Sequence, residues 1–174
     1  GINKLAGEWY HLLYNRVHSL QTVIIRLTNT YGPRQLVKHN RQGFIPWFIR
    51  QIVLGEEIKI FGDGKQIRDI NYVDDVVLAL LIAGISPRAY GQIFNLGGET
   101  ISLIDLVNLM ISVNGEGNYR LVPFPPDKKK IDIGNFYADY RKISEHLGWK
   151  PRVKLRKGIE KTINYYKRFG EHYW

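Results

Sequence analysis

The chain has 174 residues, of which 44% are hydrophobic and 13% aromatic, enough for one globular unit with a sizeable core. Its formal net charge of +9 suits a polyanion or a small anionic ligand, but the lysines and arginines are spread over many elements. No basic stripe interleaves with aromatics, so a small anion is expected and nucleic acid is not.

No cysteine is present, which excludes disulfides, thiolate zinc sites and a cysteine nucleophile. The five histidines, His11, His18, His39, His146 and His172, include no pair spaced to share a metal on one helix face, and no metal is expected. There is no apolar run of bilayer length and no leader with a cleavage site, so the expectation is a soluble, cytoplasmic chain without a membrane partner. Lys128 to Lys130 and Lys150 to Lys157 read as solvated faces.

From Ile2 to about Leu20, Leu5, Trp9, Leu12, Leu13 and Val17 fall at helical spacing, with no capping signal ahead of them, so the helix is expected to start upstream of Gly1. Thr22 to Leu27 is β-branched and almost continuously apolar, as in a strand buried on both faces. Residues 28–43 read as loop, with a turn at Gly32-Pro33 and a charged stretch from Lys38 to Gln42. Ile45 to Leu54 is predicted helical, with Pro46 in the first turn. Ile58 to Phe61 and Ile67 to Tyr72 are predicted strands of a hairpin turned by Gly62-Asp63-Gly64. A helix is predicted from Val73 to Ile82, its dipole met by Asp74 and Asp75. Then come a strand from Ile93 to Leu96 and a helix from Leu103 to Val113 opened by a Ser102/Asp105 capping box. A strand over Tyr119 to Phe124, a Pro- and Lys-rich loop, a helix between Asp139 and Gly148 and an amphipathic helix from Arg156 to Phe169 complete an α/β pattern.

Three stretches carry chemistry. Lys4 lies on the first helix; Arg26-Leu27-Thr28-Asn29-Thr30-Tyr31-Gly32-Pro33-Arg34 follows the first strand; Gly62-Asp63-Gly64 leads through Arg68-Asp69 to Tyr72-Val73-Asp74-Asp75. The fixed fork of a guanidinium suits a bidentate grip on phosphate, which makes Arg68 the main anion candidate, with Asp69 able to orient it. Each has a plainer reading: Lys4 as a solvated residue, Asn29 satisfying backbone groups beside a core Tyr31, Arg68 and Asp69 as a surface pair.

Together these stretches resemble the extended short-chain dehydrogenase/reductase family of nucleotide-sugar epimerases and dehydratases, over essentially the whole chain. The resemblance implies the C-terminal part of an extended Rossmann-type α/β fold. Residues 1–35 would end the NAD-binding domain and residues 36–174 would form mainly the smaller substrate-binding domain, with part of 73–98 returning to the Rossmann sheet. It makes Lys4 the lysine of a Tyr-x-x-x-Lys pair, contacting the nicotinamide ribose and lowering the cost of phenolate formation on a tyrosine expected just before Gly1. Thr28 and Thr30 would lie near the nicotinamide of NAD. Asn29, Arg68 and Lys129 would face the substrate diphosphate, and Asp132 the ribose. Gly43 and Phe44 would contact the nucleotide through their backbone, and Ile60 and Phe61 would lie on the strand beside the base. A lysine at 129, where the family often has arginine, supplies charge without the fork.

No Gly-x-x-Gly-x-x-Gly follows an N-terminal strand, so most of the NAD site is expected in a missing N-terminal half. The implied activity is that of a UDP-glucose 4-epimerase. The alternatives are a dTDP-glucose 4,6-dehydratase or UDP-glucuronate decarboxylase, or a non-catalytic nucleotide-sugar-binding or dimerisation module. Asp69, where decarboxylases usually have serine, and Ile70, where dehydratases often have tryptophan, lean towards the epimerase. The first helix is expected to form a homodimer contact.

Overall fold

The computed structural model describes residues 1–39 and 43–174; the end of the charged stretch read from Lys38 to Gln42 lies outside the described residues. The chain begins with α1 (Ile2–His18), β1 (Ile24–Arg26), β2 (Asn29–Tyr31) and α2 (Phe44–Val53). It continues with β3 (Ile58–Phe61), β4 (Ile67–Tyr72), α3 (Val73–Ile85), β5 (Ile93–Asn95), β6 (Glu99–Ser102) and α4 (Leu103–Asn114). It ends with β7 (Tyr119–Val122), α5 (Pro126–Lys129), α6 (Arg141–Leu147) and α7 (Leu155–Phe169).

Among the described residues three small sheets result. β1 pairs in parallel with β5, Ile24 opposite Ile93, and β3 in parallel with β7, Ile58 opposite Tyr119. β4 lies between β2, parallel to it, and β6, antiparallel to it. The expected hairpin of β3 and β4 is therefore corrected: the two strands belong to different sheets. Gly62 and Gly64 do take the positive φ of a turn, but their backbone groups are used elsewhere. Gly62 N donates to Val122 O, extending the β3–β7 ladder, and Gly64 O accepts from Ile104 N at the start of α4. β2 and β6, which the sequence pattern did not indicate, form the two sides of β4.

Two hydrophobic clusters organise these elements. The larger packs α2, α4 and α7 around β2, β3 and β4, through Ile49, Ile60, Leu106, Met110, Ile159 and Tyr166 among others. The smaller packs α3 and α6 against β5, through Val76, Ala79, Phe94, Leu96, Ile143 and Trp149. Trp149, after the left-handed Gly148 that ends α6, donates its indole N–H to Asp75 O (2.9 Å), while the Asp75 carboxylate accepts from Val153 N (2.9 Å). Asp75 thus holds the chain that leads into α7, besides lying in the first turn of α3.

The N-terminus of α7 receives a side-chain acceptor from another strand, Glu99 Oε1 taking Leu155 N at 3.0 Å. Ser102 caps α4 by accepting from Asp105 N (3.1 Å), as the capping box predicts, although the Asp105 carboxylate returns to the Ser102 hydroxyl (2.6 Å) rather than to its backbone. α1 has no buried residue and is tied down by the Arg26–Glu8 ion pair and by Thr22 Oγ1 donating to His11 O (2.9 Å). Among the described residues no helix is long and apolar enough to cross a membrane.

Candidate functional site

β2 and β4 run side by side with Asn29 opposite Ile70, which brings the second and third sequence motifs to one place. Asn29 Nδ2 donates to Asp69 O (3.0 Å). Half of the asparagine is thus satisfied by backbone, and the same residue lines a cleft of about 300 Å³ with Leu27, Thr28, Thr30, Gly43 and Phe44. Tyr31, 1% exposed, is core: its hydroxyl donates to Leu155 O (3.2 Å), and burial pushes its pKa far above the ordinary phenol value.

Arg68 is held in a specific orientation. Its guanidinium donates to Ile67 O (3.0 Å) and Gly134 O and pairs with Asp132 Oδ1 at 3.2 Å, with only 12% of the arginine side chain exposed. The segment around Asp132 is laid along β4 as a strap: Ile67 N donates to Asn135 Oδ1 (2.9 Å), Phe136 N to Ile67 O (3.0 Å) and Ala138 N to Asp69 Oδ2 (2.9 Å).

Asp69 therefore does not orient Arg68, as expected from adjacency; consecutive strand residues point to opposite faces, and Asp69 turns inward to fix the strap. It is 1% exposed, and burial raises its pKa in spite of the bond from Ala138 N. The Thr28 hydroxyl faces this carboxylate and draws its pKa down, but the geometry falls short of a hydrogen bond, leaving Thr28 Oγ1 and Asp69 Oδ1 as inaccessible polar atoms without partners.

A second cleft, of about 480 Å³, brings Arg68 and Asp132 together with Gly43, Phe44 and Phe61, and also with Phe124 and with Lys128, which was expected on a solvated face. The Phe61 and Phe124 rings pack tilted at 44° to each other with centroids 5.8 Å apart. A third, of about 700 Å³, lies between α1 and β1 and is lined by Lys4, Glu8, His11, Arg26 and Leu27. The clefts adjoin: the first two share Gly43 and Phe44, and Leu27 is common to the first and third. Of the expected residues, Lys4 lines the third cleft, Thr28, Asn29 and Thr30 the first, Phe61, Arg68 and Asp132 the second, and Gly43 and Phe44 both of the first two. Two expected residues line none of the three. Ile60, 1% exposed, is core, and Lys129, exposed at the end of the single turn α5, is outside the linings. Among the described residues no cluster of His, Asp and Glu could hold a metal ion.

The unit is α/β, with Arg68 near the start of β4, where that strand pairs with the antiparallel β6, and its guanidinium paired with Asp132 beside the second cleft. The model of the NAD dependent epimerase/dehydratase family matches residues 1–97, and this chain belongs to that family. It is 37% identical over 172 residues to a putative UDP-glucose 4-epimerase of Methanocaldococcus jannaschii, covering 96% of this chain and 52% of that protein. It is 32% identical over 174 residues to a dTDP-glucose 4,6-dehydratase of an Actinoplanes species, covering 99% and 52%. The crystal structure of UDP-glucose 4-epimerase with UDP-glucose from Thermotoga maritima superposes with a TM-score of 0.86 at 35% identity, covering 97% of this chain and 53% of that one. A dTDP-glucose 4,6-dehydratase from Streptomyces venezuelae with NAD bound gives 0.80 at 25% identity, covering 96% and 50%. The chain spans about half the length of the relatives it matches, over their C-terminal halves.

Proposed function

We propose that this chain is the substrate-gripping half of an NAD-dependent nucleotide-sugar epimerase of the UDP-glucose 4-epimerase type. The observation that carries this reading is the convergence of Arg68, Asp132, Phe44 and Phe61 on one cleft. There a guanidinium can take the diphosphate, a carboxylate the ribose hydroxyls, and aromatic rings the base. Asn29 offers a further donor in the adjoining cleft, towards the sugar side. Holding the nucleotide remotely keeps the complex together while a keto-sugar turns over between two faces, a use of binding energy from groups that do not react.

The division of the chain follows. Residues 1–35, with 93–95 returning beside β1, would belong to the NAD-binding domain, and most of 36–174 to the substrate domain. Lys4, Thr28 and Thr30 would meet the nicotinamide end of NAD. When bound, NAD supplies reversible acceptance of a hydride from the sugar. The rest of its site would be in a Rossmann half that adds strands to the open edge of β1. α1, with every side chain at least partly exposed, would pair with its copy in a homodimer.

Calorimetric titration of the chain with UDP, UDP-glucose, dTDP-glucose and NAD, alongside Arg68→Ala, tests the reading. Saturable UDP-sugar binding is expected, weakened roughly tenfold or more by loss of a charge-assisted contact, with little NAD binding. Preference for the dTDP sugar would transfer the proposal to the dehydratases, which the 32% identity to such an enzyme keeps in view. A folded chain that binds none of the sugar nucleotides would sink it.

A further inference from the structure

Beyond α7 the chain turns tightly over Gly170–His172 and lays Trp174 back against the end of that helix. A Cβ at Gly170 would run into the Trp174 indole, so glycine makes room for the ring. Tyr173 packs against both Tyr165 and Tyr166, with the Tyr165 and Tyr173 hydroxyls 2.6 Å apart.

The Arg50 guanidinium, on α2, lies between two indoles, 5.4 Å from the ring centre of Trp47 and 6.0 Å from that of Trp174. Its Nη1 donates to Lys38 O (2.6 Å), while its buried Nε has no hydrogen-bond partner among the described residues. Two ring faces and one carbonyl therefore set where this cation sits. One turn before Gly170, the Tyr166 hydroxyl donates to Gln35 O (2.6 Å), and Val37 is fully buried. Residues 35–38 are thus held at three points, of which Gln35 is tied to α7 directly and Lys38 to Trp174 by way of Arg50.

Both sides of this assembly reach the nucleotide clefts. Gln35 lines the first beside Asn29, Gly43 and Phe44, and donates to Thr30 O (3.3 Å). Trp47 lines the second with Phe44, Phe61 and Arg68, whereas Trp174 lines neither.

We propose that Trp174 is a positioning residue for the nucleotide clefts and acts through Arg50. Its indole closes the outer face of the guanidinium, which keeps the inner face on Trp47 and the Nη1 donor on Lys38 O. Without it that outer face is open to water, and a hydrated arginine is free to leave both partners. A cleft wall ordered before the ligand arrives has less freedom to lose on binding, so the effect is on affinity. The inference rests on the reading of these clefts as a nucleotide-diphosphate site.

The test titrates UDP into Trp174→Leu, which keeps apolar bulk without a ring face, Trp174→Phe, which keeps a ring, Arg50→Met, and the Arg50→Met/Trp174→Leu double variant. Arg68→Ala and the parent chain are run beside them, all well below their urea midpoints. Trp174→Leu is expected to bind UDP roughly fivefold more weakly, and Arg50→Met to a similar degree. Trp174→Phe should stay within about twofold of the parent, because a ring face is restored. The double variant should be little weaker than either single one, since the two residues act in one chain of contacts.

A contact that only stabilises the fold would lower the urea midpoint and leave the UDP affinity of the folded chain unchanged. That result for Trp174→Leu would overturn the assignment, as would losses that simply add in the double variant. If Arg68→Ala weakens UDP binding while Trp174→Leu and Arg50→Met do not, only the positioning role fails. If the parent chain binds no UDP, the nucleotide reading fails and this inference with it.

Discussion

At Asp69 the demands of folding and of the site pull in opposite directions. The carboxylate is buried, one oxygen accepts from Ala138 N, and the other has no partner of good geometry. Burial raises its pKa above the unfolded value, so the fold holds the proton more tightly than the unfolded chain does. Its contribution to stability is therefore fully present below the unfolded pKa and is lost as pH rises through the folded one. Asp69→Asn, which can accept from Ala138 N and donate towards Thr28, is expected to be at least as stable as the parent at neutral pH. The difference between the two should narrow on acidification, as read from urea unfolding at several pH values. A variant that is markedly less stable at neutral pH would show that the ionised carboxylate holds the strap in a way an amide cannot. Residue chemistry of this kind was only partly legible in sequence. Arg68 stood out because a planar guanidinium suits phosphate, whereas Asn29 did so only through the family resemblance, and its own chemistry pointed to the backbone bond that it makes to Asp69 O. Lys128 and Phe124 did not stand out, because a run of lysines and a strand-end phenylalanine have no distinguishing pattern until the fold brings them to one cleft.

Elements were legible where their own pattern sufficed and not where a distant partner decides. The helices α1, α2, α3, α4, α6 and α7 follow the expected spans closely, because each carries apolar residues at helical spacing or a recognisable end such as Gly148. β2 and β6 are three and four residues long, too short for periodicity to show, and exist because β4 offers them hydrogen bonds. The supposed hairpin failed for the same reason: glycines announce a turn, not the strands it serves. Helix packing makes its own prediction at Gly158 in α7. A Cβ there would run into the Tyr31 hydroxyl and approach a Tyr72 ring carbon at 2.9 Å. Gly158→Ala is expected to lose about 1–3 kcal/mol of stability to overpacking, against a helix-propensity gain of about 1 kcal/mol. Gly84→Ala in α3, with nothing within 4 Å, should keep only the gain. Denaturant midpoints of the two variants moving in opposite directions would confirm the close crossing of α7 over β2, and a stabilised Gly158→Ala would refute it.

On the scale of the whole molecule, the dominant unsatisfied feature is apolar surface on α1. Leu5, Trp9, Leu13 and Val17 repeat every fourth residue, and each is more than half exposed, so they form one stripe along the helix. A contiguous apolar stripe of this kind is unusual on a monomer. Its size sets the strength of any pairing: 17 residues at about 1.5 Å each make a helix about 26 Å long. A strip of that length and one helix in width presents well under the roughly 800 Å² per partner of a standard stable interface. The homodimer proposed for α1 should therefore be weak in this chain, with monomer and dimer exchanging as concentration changes. Sedimentation velocity over a dilution series is expected to show a concentration-dependent rise towards the dimer value, abolished by Leu13→Glu, which places a charge in mid-stripe, and retained in Glu171→Lys, remote at the other terminus. A chain that stays monomeric at its highest soluble concentration, or a dimer indifferent to Leu13→Glu, would remove α1 as the pairing surface while leaving the nucleotide cleft untouched, since none of the stripe residues lines it.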